Sequence, residues 1–364
     1  MTETPSPRQR STLVLVLVLG GFFAALLVLA LSGRYTIVWK TVVIPVLVLA
    51  MALSRRLLLF IRDWAVFLSL TSLFDSVRGL IFALISRFDL PVYMSYIIVA
   101  EKWLLQGSVA PVILQAHLFQ TREVGFLERF LTVVHGSHFL FFLLFGLTVW
   151  VIRRSDFYRF AAAMVALMFS GLAIYLLVPT IPPWMASSEF AALPQVVRIS
   201  AMVYNMALPE LYRALDTNPV AAMPSLHAAF PLLCLLVAAD LYGRRCWPLV
   251  LYNLAVSFAI LYLGEHYLLD VLAGWLLAMA VWFFVFRSPA VMRLAQRAVA
   301  IQGHSQLVPI LVLALLFLML GHMLGQIKRQ LEAPAAPSHP ARAYGLNGDH
   351  RCAPPWPLAR RSLS

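Results

Sequence analysis

The chain has 364 residues, 62% of them hydrophobic and only 12% charged, and a formal net charge of +12; its mean hydropathy is +0.84. That balance excludes an ordinary soluble domain, and repeated apolar runs near twenty residues read as membrane spans. The positive charge does not signal nucleic acid, because the basic residues gather at the ends of apolar runs, where they orient the chain and meet anionic lipid.

Residues 1–11 are polar and carry Arg8 and Arg10, and Leu13 to Leu31 follow as an uninterrupted apolar run. The run is too long for a signal-peptide core, so it reads as an uncleaved span. A second span covers roughly Tyr35 to Leu53, making residues 1–54 an N-terminal extra pair. Arg55, Arg56 and Arg62 precede a third span that ends near Ile85. Residues 86–130 mix short apolar pieces with Glu101, Lys102, His117, Arg122, Glu123 and Arg129, and read as a loop with interfacial helices.

A fourth span runs from about Leu131 to Ile152, and a fifth, flanked by Arg153, Arg154 and Arg159, ends near Pro179. The connection 180–222 opens with Ile181-Pro182-Pro183-Trp184, where the prolines deny helical continuation. The sixth span starts near Ser225 and stops before Gly243-Arg244-Arg245, the seventh runs to about Leu263, and the eighth covers His266 to Phe286. A ninth covers roughly Leu307 to Ile327, within an extra C-terminal segment 300–328. The tail 329–364 is rich in Pro and Arg, lacks apolar periodicity and reads as disordered. The expected fold is therefore all-α: a polytopic membrane protein of about nine transmembrane helices, with residues 55–290 as its core. Cys234, Cys246 and Cys352 offer no metal spacing and no disulfide framework.

Under this count the basic clusters fall on one side, which the positive-inside rule makes cytoplasmic. The connection 180–222 and the turn at His266 then face the other side. The excess of arginine over lysine points to a GC-rich bacterial genome, so the expected location is a bacterial plasma membrane.

Two stretches carry candidate chemistry. In Gly264-Glu265-His266-Tyr267-Leu268-Leu269-Asp270, His266 and Asp270 are four apart and would share one helical face. An acid about one turn inside a span is costly, so it is paired and functional. Bonded to one imidazole nitrogen, it would fix the tautomer and leave the other nitrogen to attack or take a proton. In Asn218-Pro219-Val220-Ala221-Ala222-Met223-Pro224-Ser225-Leu226-His227, Ser225 is placed to cap the sixth span, with His227 in its first turn. Free N–H groups at such an end bind phosphate. Two imidazoles and a carboxylate at one mouth suit phosphoryl transfer.

These stretches resemble the second and third signatures of the type 2 phosphatidic-acid phosphatase superfamily. The form Pro-Ser-Leu-His, with Pro179-Thr180-Ile181-Pro182-Pro183-Trp184 and Phe74-Asp75-Ser76-Val77-Arg78-Gly79, is similar to its inositol phosphorylceramide synthase-like branch. The resemblance covers roughly residues 60–285. It implies a six-helix core and a metal-independent reaction, without cofactor, through a phosphohistidine. His266 would be the nucleophile, Asp270 its partner and His227 the general acid and base. The family's first signature, Lys-(six residues)-Arg-Pro, is missing, and Ala259 and Ile260 stand where Ser-Arg usually precede the histidine. Other cations must then stabilise transition-state charge, from Arg213, Arg198, Lys102, Arg122 and Arg78.

Several residues carry a plainer reading beside the functional one. His135 and His138 share a face of the fourth span; two ligands are too few for a metal, which favours a structural or lipid-facing role. Asp75 and Arg78 read as an ion pair that fixes helix packing or as a substrate contact. Arg213 is either a phosphate contact or a solvated charge. Trp184 is either an interfacial anchor or a lining of the site mouth. Glu265 would point away from the nucleophile and tune the mouth.

The expected function is a membrane phosphotransferase, its site on the extracytoplasmic face, that passes a phosphorylated head group such as phosphoinositol from a phospholipid donor to a lipid or sugar hydroxyl. Ser225, Arg213, Arg78, Lys102 and Trp184 would hold substrate, and nucleic acid is not a partner. The first rival is a lipid phosphate phosphatase of the same fold, in which water intercepts the phosphohistidine. The second is a transporter or membrane scaffold whose histidines serve a proton path.

Overall fold

The computed structural model describes residues 57–207, 218–300 and 307–332. The two N-terminal spans, Arg213 and the tail from residue 333 lie outside the described residues. Among those described, the chain is helical and contains no strand. Its elements are α1 (Leu57–Arg87), α2 (Ser95–Leu104), α3 (Ala110–Leu118), α4 (Phe126–Ile152), α5 (Arg154–Leu177), α6 (Pro183–Ser188), α7 (Ile199–Ala207), α8 (Leu226–Tyr242), α9 (Trp247–Tyr262), α10 (Leu268–Arg287), α11 (Pro289–Ala300) and α12 (Leu307–Glu332).

Among the described residues, five stretches are long and apolar enough to cross a membrane: Leu59–Arg87, Phe126–Ile152, Arg154–Leu177, Leu226–Tyr262 and Leu268–Arg287. The fourth is divided. Gly243 adopts φ +60° and opens a short 3-10 turn, Gly243–Cys246, so α8 and α9 form a hairpin. With that division these stretches supply six packed helices. α12 lies along α1, where Gly321 lets the two backbones approach Ser76 and Leu73.

Apolar residues cover both the inside and the outside of this bundle, as a bilayer requires. Leu177, Leu251, Leu276 and Phe284 are exposed and large, which is normal where the surrounding medium is lipid. The interior is close-packed and rich in aromatic rings. Trp64 stacks on Phe157 at 4.7 Å between ring centroids, and Phe145 meets Phe160 edge-on at 5.4 Å.

One end of the bundle holds the basic clusters that flank the apolar runs. Arg154 and Trp150 both bond the buried carboxylate of Asp63, at 2.9 Å from Arg154 Nη2 to Oδ1 and 2.8 Å from Trp150 Nε1 to Oδ2. Arg287 pairs with Asp240 at 3.5 Å, and Arg159 Nη2 donates to the carbonyl of Phe286 at 2.7 Å. These residues sit where α4, α8 and α10 end and α5 begins, so the antiparallel helices gather them as the charge pattern anticipates.

The other end is roofed by the segments that read as outer loops. Residues 86–130 contain the two short helices α2 and α3. Backbone bonds lash three chain segments together: Tyr93 N–H donates to Pro179, Ile181 N–H to Tyr93, Thr180 N–H to Val220 and Ala222 N–H to Thr180. Gln115 on α3 adds a clamp, donating from Nε2 to the carbonyls of Val197 (2.8 Å) and Tyr262 (2.9 Å) while Oε1 accepts from Val197 N–H. The described parts of the connection, 180–207 and 218–222, are thus held over the mouths of α8 and α10.

Candidate functional site

Two histidines from distant parts of the sequence meet at this end. His227 Nδ1 lies 2.8 Å from His266 Nε2. His227 sits in the first turn of α8 because Ser225 caps that helix, its hydroxyl oxygen accepting from Ala228 N–H at 3.4 Å. The helix is pinned to its neighbour by Ser225 N–H donating to the carbonyl of Asp270 at 2.9 Å. α8 and α10 come this close only because residue 274 is glycine: a Cβ there would lie 2.2 Å from the Ser225 carbonyl oxygen.

The His266–Asp270 pairing differs from the expected form. α10 begins at Leu268 with Tyr267 as its N-cap, so His266 precedes the helix and does not share a helical face with Asp270. Asp270 is instead the third helical residue. Its Oδ2 accepts from Tyr267 N–H at 2.8 Å and lies 3.4 Å from His266 Nδ1. The helix start decides this, because its first N–H groups have no carbonyl partner and take the nearest acceptor. The carboxylate therefore holds the turn closed and faces the imidazole at the long end of hydrogen-bond range.

Glu101 completes the same turn, a role the sequence reading did not give it. It is fully buried, and it accepts from Leu269 N–H at 3.0 Å and from Ala110 N–H at 2.8 Å. Burial pushes its carboxyl up from the usual range, against these two bonds. The only sequence signal was an acid inside an otherwise apolar stretch.

Beside His266 stands an ion pair. Arg198 grips Glu265 from Nε at 3.0 and 3.1 Å and from Nη2 at 2.9 Å, and Ser200 donates to the same carboxylate. The Arg198 guanidinium also lies 4.5 Å over the Trp184 ring. Trp184 is buried and its backbone N–H bonds the carbonyl of Gly264, so it belongs to the mouth. Trp184, Arg198, Ser187, Gln195 and Val197 line a cavity of about 550 Å³.

Burial alone would push the Glu265 carboxyl up, but Arg198 and Ser200 outweigh it and bring it down to about 2. A carboxylate whose pKa falls on folding stabilises the fold above its unfolded value and loses that contribution as pH falls. The detergent-solubilised protein should therefore lose thermal stability through this group between about pH 4.5 and about pH 2. Melting curves of wild type and Glu265→Gln across that range should converge as the pH drops; parallel curves would show that the pair does not titrate there.

The remaining candidates are spread out. Arg78 on α1 pairs with Asp75 at 3.2 Å, and its backbone carbonyl accepts from Asn218 Nδ2 at 3.1 Å, at the start of the loop that carries Ser225. Lys102 is half-buried on α2, with no ion pair to the site among the described residues, and Arg122 is exposed in the turn before α4. Arg213 lies outside the described residues. The lipid-facing reading of His135 and His138 fails: both turn inward, with ring centroids 4.8 Å and 4.4 Å from that of His227.

A family model for the PAP2 superfamily matches residues 97–284, just over half of the chain. The phosphoinositol dihydroceramide synthase of Bacteroides thetaiotaomicron is 27% identical over 158 residues, which are 39% of this chain and 50% of that relative. The chain thus aligns with about half the length of this curated relative. No solved structure matches it.

Proposed function

The chain belongs to the PAP2 superfamily, and from that membership and the paired histidines we propose that it is a membrane phosphotransferase working through a phosphohistidine. The observation that carries the reading is the 2.8 Å approach of His227 to His266, backed by Asp270. An ionised Asp270 accepts from His266 Nδ1–H, which leaves the Nε2 lone pair of His266 as the nucleophile. Nε2 then accepts from His227 Nδ1–H in the resting pair.

A phosphodiester must enter between the two rings, so His227 swings off His266 as the head group arrives. His266 Nε2 attacks phosphorus, the P–O bond to the donor lipid breaks, and His227, entering the step as the imidazolium, passes one proton to the leaving alkoxide and is left neutral. An acceptor hydroxyl then gives its proton to His227 and takes the phosphoryl group from His266. Arg78, Lys102 and Arg213 are the cations proposed to balance phosphate charge. Arg198 serves less directly, because its guanidinium is bound to Glu265. Ser225 keeps the first turn of α8 open to the substrate, and Trp184 walls the mouth.

The donor is a phospholipid and the acceptor a lipid or sugar hydroxyl. Phosphoinositol is the proposed head group, by likeness to the relative whose name carries it. The site faces away from the basic end of the bundle, which supports an extracytoplasmic position for it.

The test supplies head-group-labelled phosphatidylinositol to the purified protein with and without a lipid hydroxyl acceptor. Label should move to the acceptor, and chemical trapping should find it transiently on His266. Release of free inositol phosphate at the same rate with or without acceptor would replace transfer by hydrolysis. Lipid mass spectrometry of cells with and without the gene would then name the product.

A further inference from the structure

The mouth of α8 holds more imidazole than this chemistry uses. His135 and His138, one turn apart on α4, both face His227, and the ring nitrogens of the three approach within 4.8 Å of one another. His138 is 1% exposed. Its Nε2 and both ring nitrogens of His135 are buried without a hydrogen-bond partner. Unpartnered nitrogens in an apolar bundle are costly, and two rings that each bring one up to a third imidazole mark a place for a ligand.

The hydrogen bonds around the cluster set the tautomers. His138 Nδ1 lies 2.5 Å from the carbonyl oxygen of His135, which can only accept, so Nδ1 carries the proton and Nε2 the lone pair. His227 Nδ1 faces His266 Nε2, so a proton on that Nδ1 leaves His227 Nε2 as a lone pair. Neutral imidazoles with inward lone pairs and no carboxylate among them form a donor set for zinc-like ions rather than magnesium or calcium.

We propose that His135, His138 and His227 hold one zinc-like divalent transition-metal ion, and that the bound ion inhibits the enzyme. Zinc–nitrogen bonds of about 2.0–2.1 Å put tetrahedral donors roughly 3.4 Å apart, so small ring rotations close the present spacing. The ion's fourth position stays open to water. Inhibition rests on the phosphotransfer reading: an ion on His227 Nε2 pins that ring against His266 and prevents the swing that admits phosphorus.

The test uses chelator-stripped full-length protein in detergent and Co2+ as an optical probe. One Co2+ per chain should bind with tetrahedral visible absorption, and Zn2+ should displace it. His135→Asn and His138→Asn should each weaken binding at least 30-fold. His138→Cys should keep binding and add a sulfur-to-cobalt charge-transfer band, a gain of signal that needs a folded site. His266→Ala should bind Co2+ like wild type although inactive, so the metal site is judged even if phosphotransfer is wrong. Absence of stoichiometric binding, or wild-type affinity in both asparagine variants, would overturn the site. Unchanged turnover with Zn2+ bound would overturn the inhibition.

Discussion

His266→Ala is expected to lower turnover by about 10⁴-fold or more while leaving the melting temperature within a few degrees of wild type. The size follows from the role proposed for the ring. A covalent nucleophile cannot be replaced by its neighbours, and groups that act as a unit lose most of their effect when one is removed. The small structural cost follows from how the turn is built. The start of α10 is held by Asp270 on Tyr267 N–H, Glu101 on Leu269 N–H and the Asp270 carbonyl on Ser225 N–H, none of which uses the imidazole. Steady-state assay with labelled phospholipid, beside a thermal melt, separates the two effects. Residual turnover within tenfold of wild type would remove His266 as nucleophile. It would leave a proton path, as in the transporter reading, to explain the histidines.

Gly274→Ala is expected to damage both fold and activity, although residue 274 bears no chemistry. Its added Cβ would lie 2.2 Å from the Ser225 carbonyl oxygen and 3.1 Å from the Ser225 carbonyl carbon. Both are backbone atoms at the start of α8, so no side-chain rotation relieves the contact. α8 and α10 must separate, which stretches the Ser225–Asp270 backbone bond and draws His227 off His266. Overpacking of this kind costs about 1–3 kcal/mol, and a 1 Å misplacement of reacting groups costs roughly 100-fold in rate. Gly325→Ala is the control: its Cβ meets nothing within 4 Å, and alanine suits a helix better than glycine. Equal melting temperatures and turnover in the two variants would show that the close crossing does not position the site.

Much of this site was legible along the chain. Ser225 caps α8 as its position before an apolar run implies, because capping is decided by a few consecutive residues. The two histidines were marked as partners by motif, and their helices run parallel, with α9 returning between them, so that both N-terminal mouths open at one end. The form of the His266–Asp270 contact was not legible. A spacing of four looks the same inside a helix and across its start, and only the orphan N–H groups at the beginning of α10 decide which applies.

Hydropathy and charge position are properties of the chain itself, since each span must satisfy the bilayer alone. They settled the all-α class and the gathering of basic residues at one end, and local capping settled where α8 begins. Only packing could decide the rest. His135 and His138 read equally well as facing lipid or interior, because both surroundings are apolar, and the rotation of α4 turned them onto His227. Arg198 read as a free cation until the fold laid it on Glu265, 67 residues away. Glu101 read as a loop acid until α2 carried it to the start of α10, 168 residues away, where the open Leu269 N–H needed an acceptor. Contacts of that range depend on which helix faces meet, and no local pattern encodes that choice.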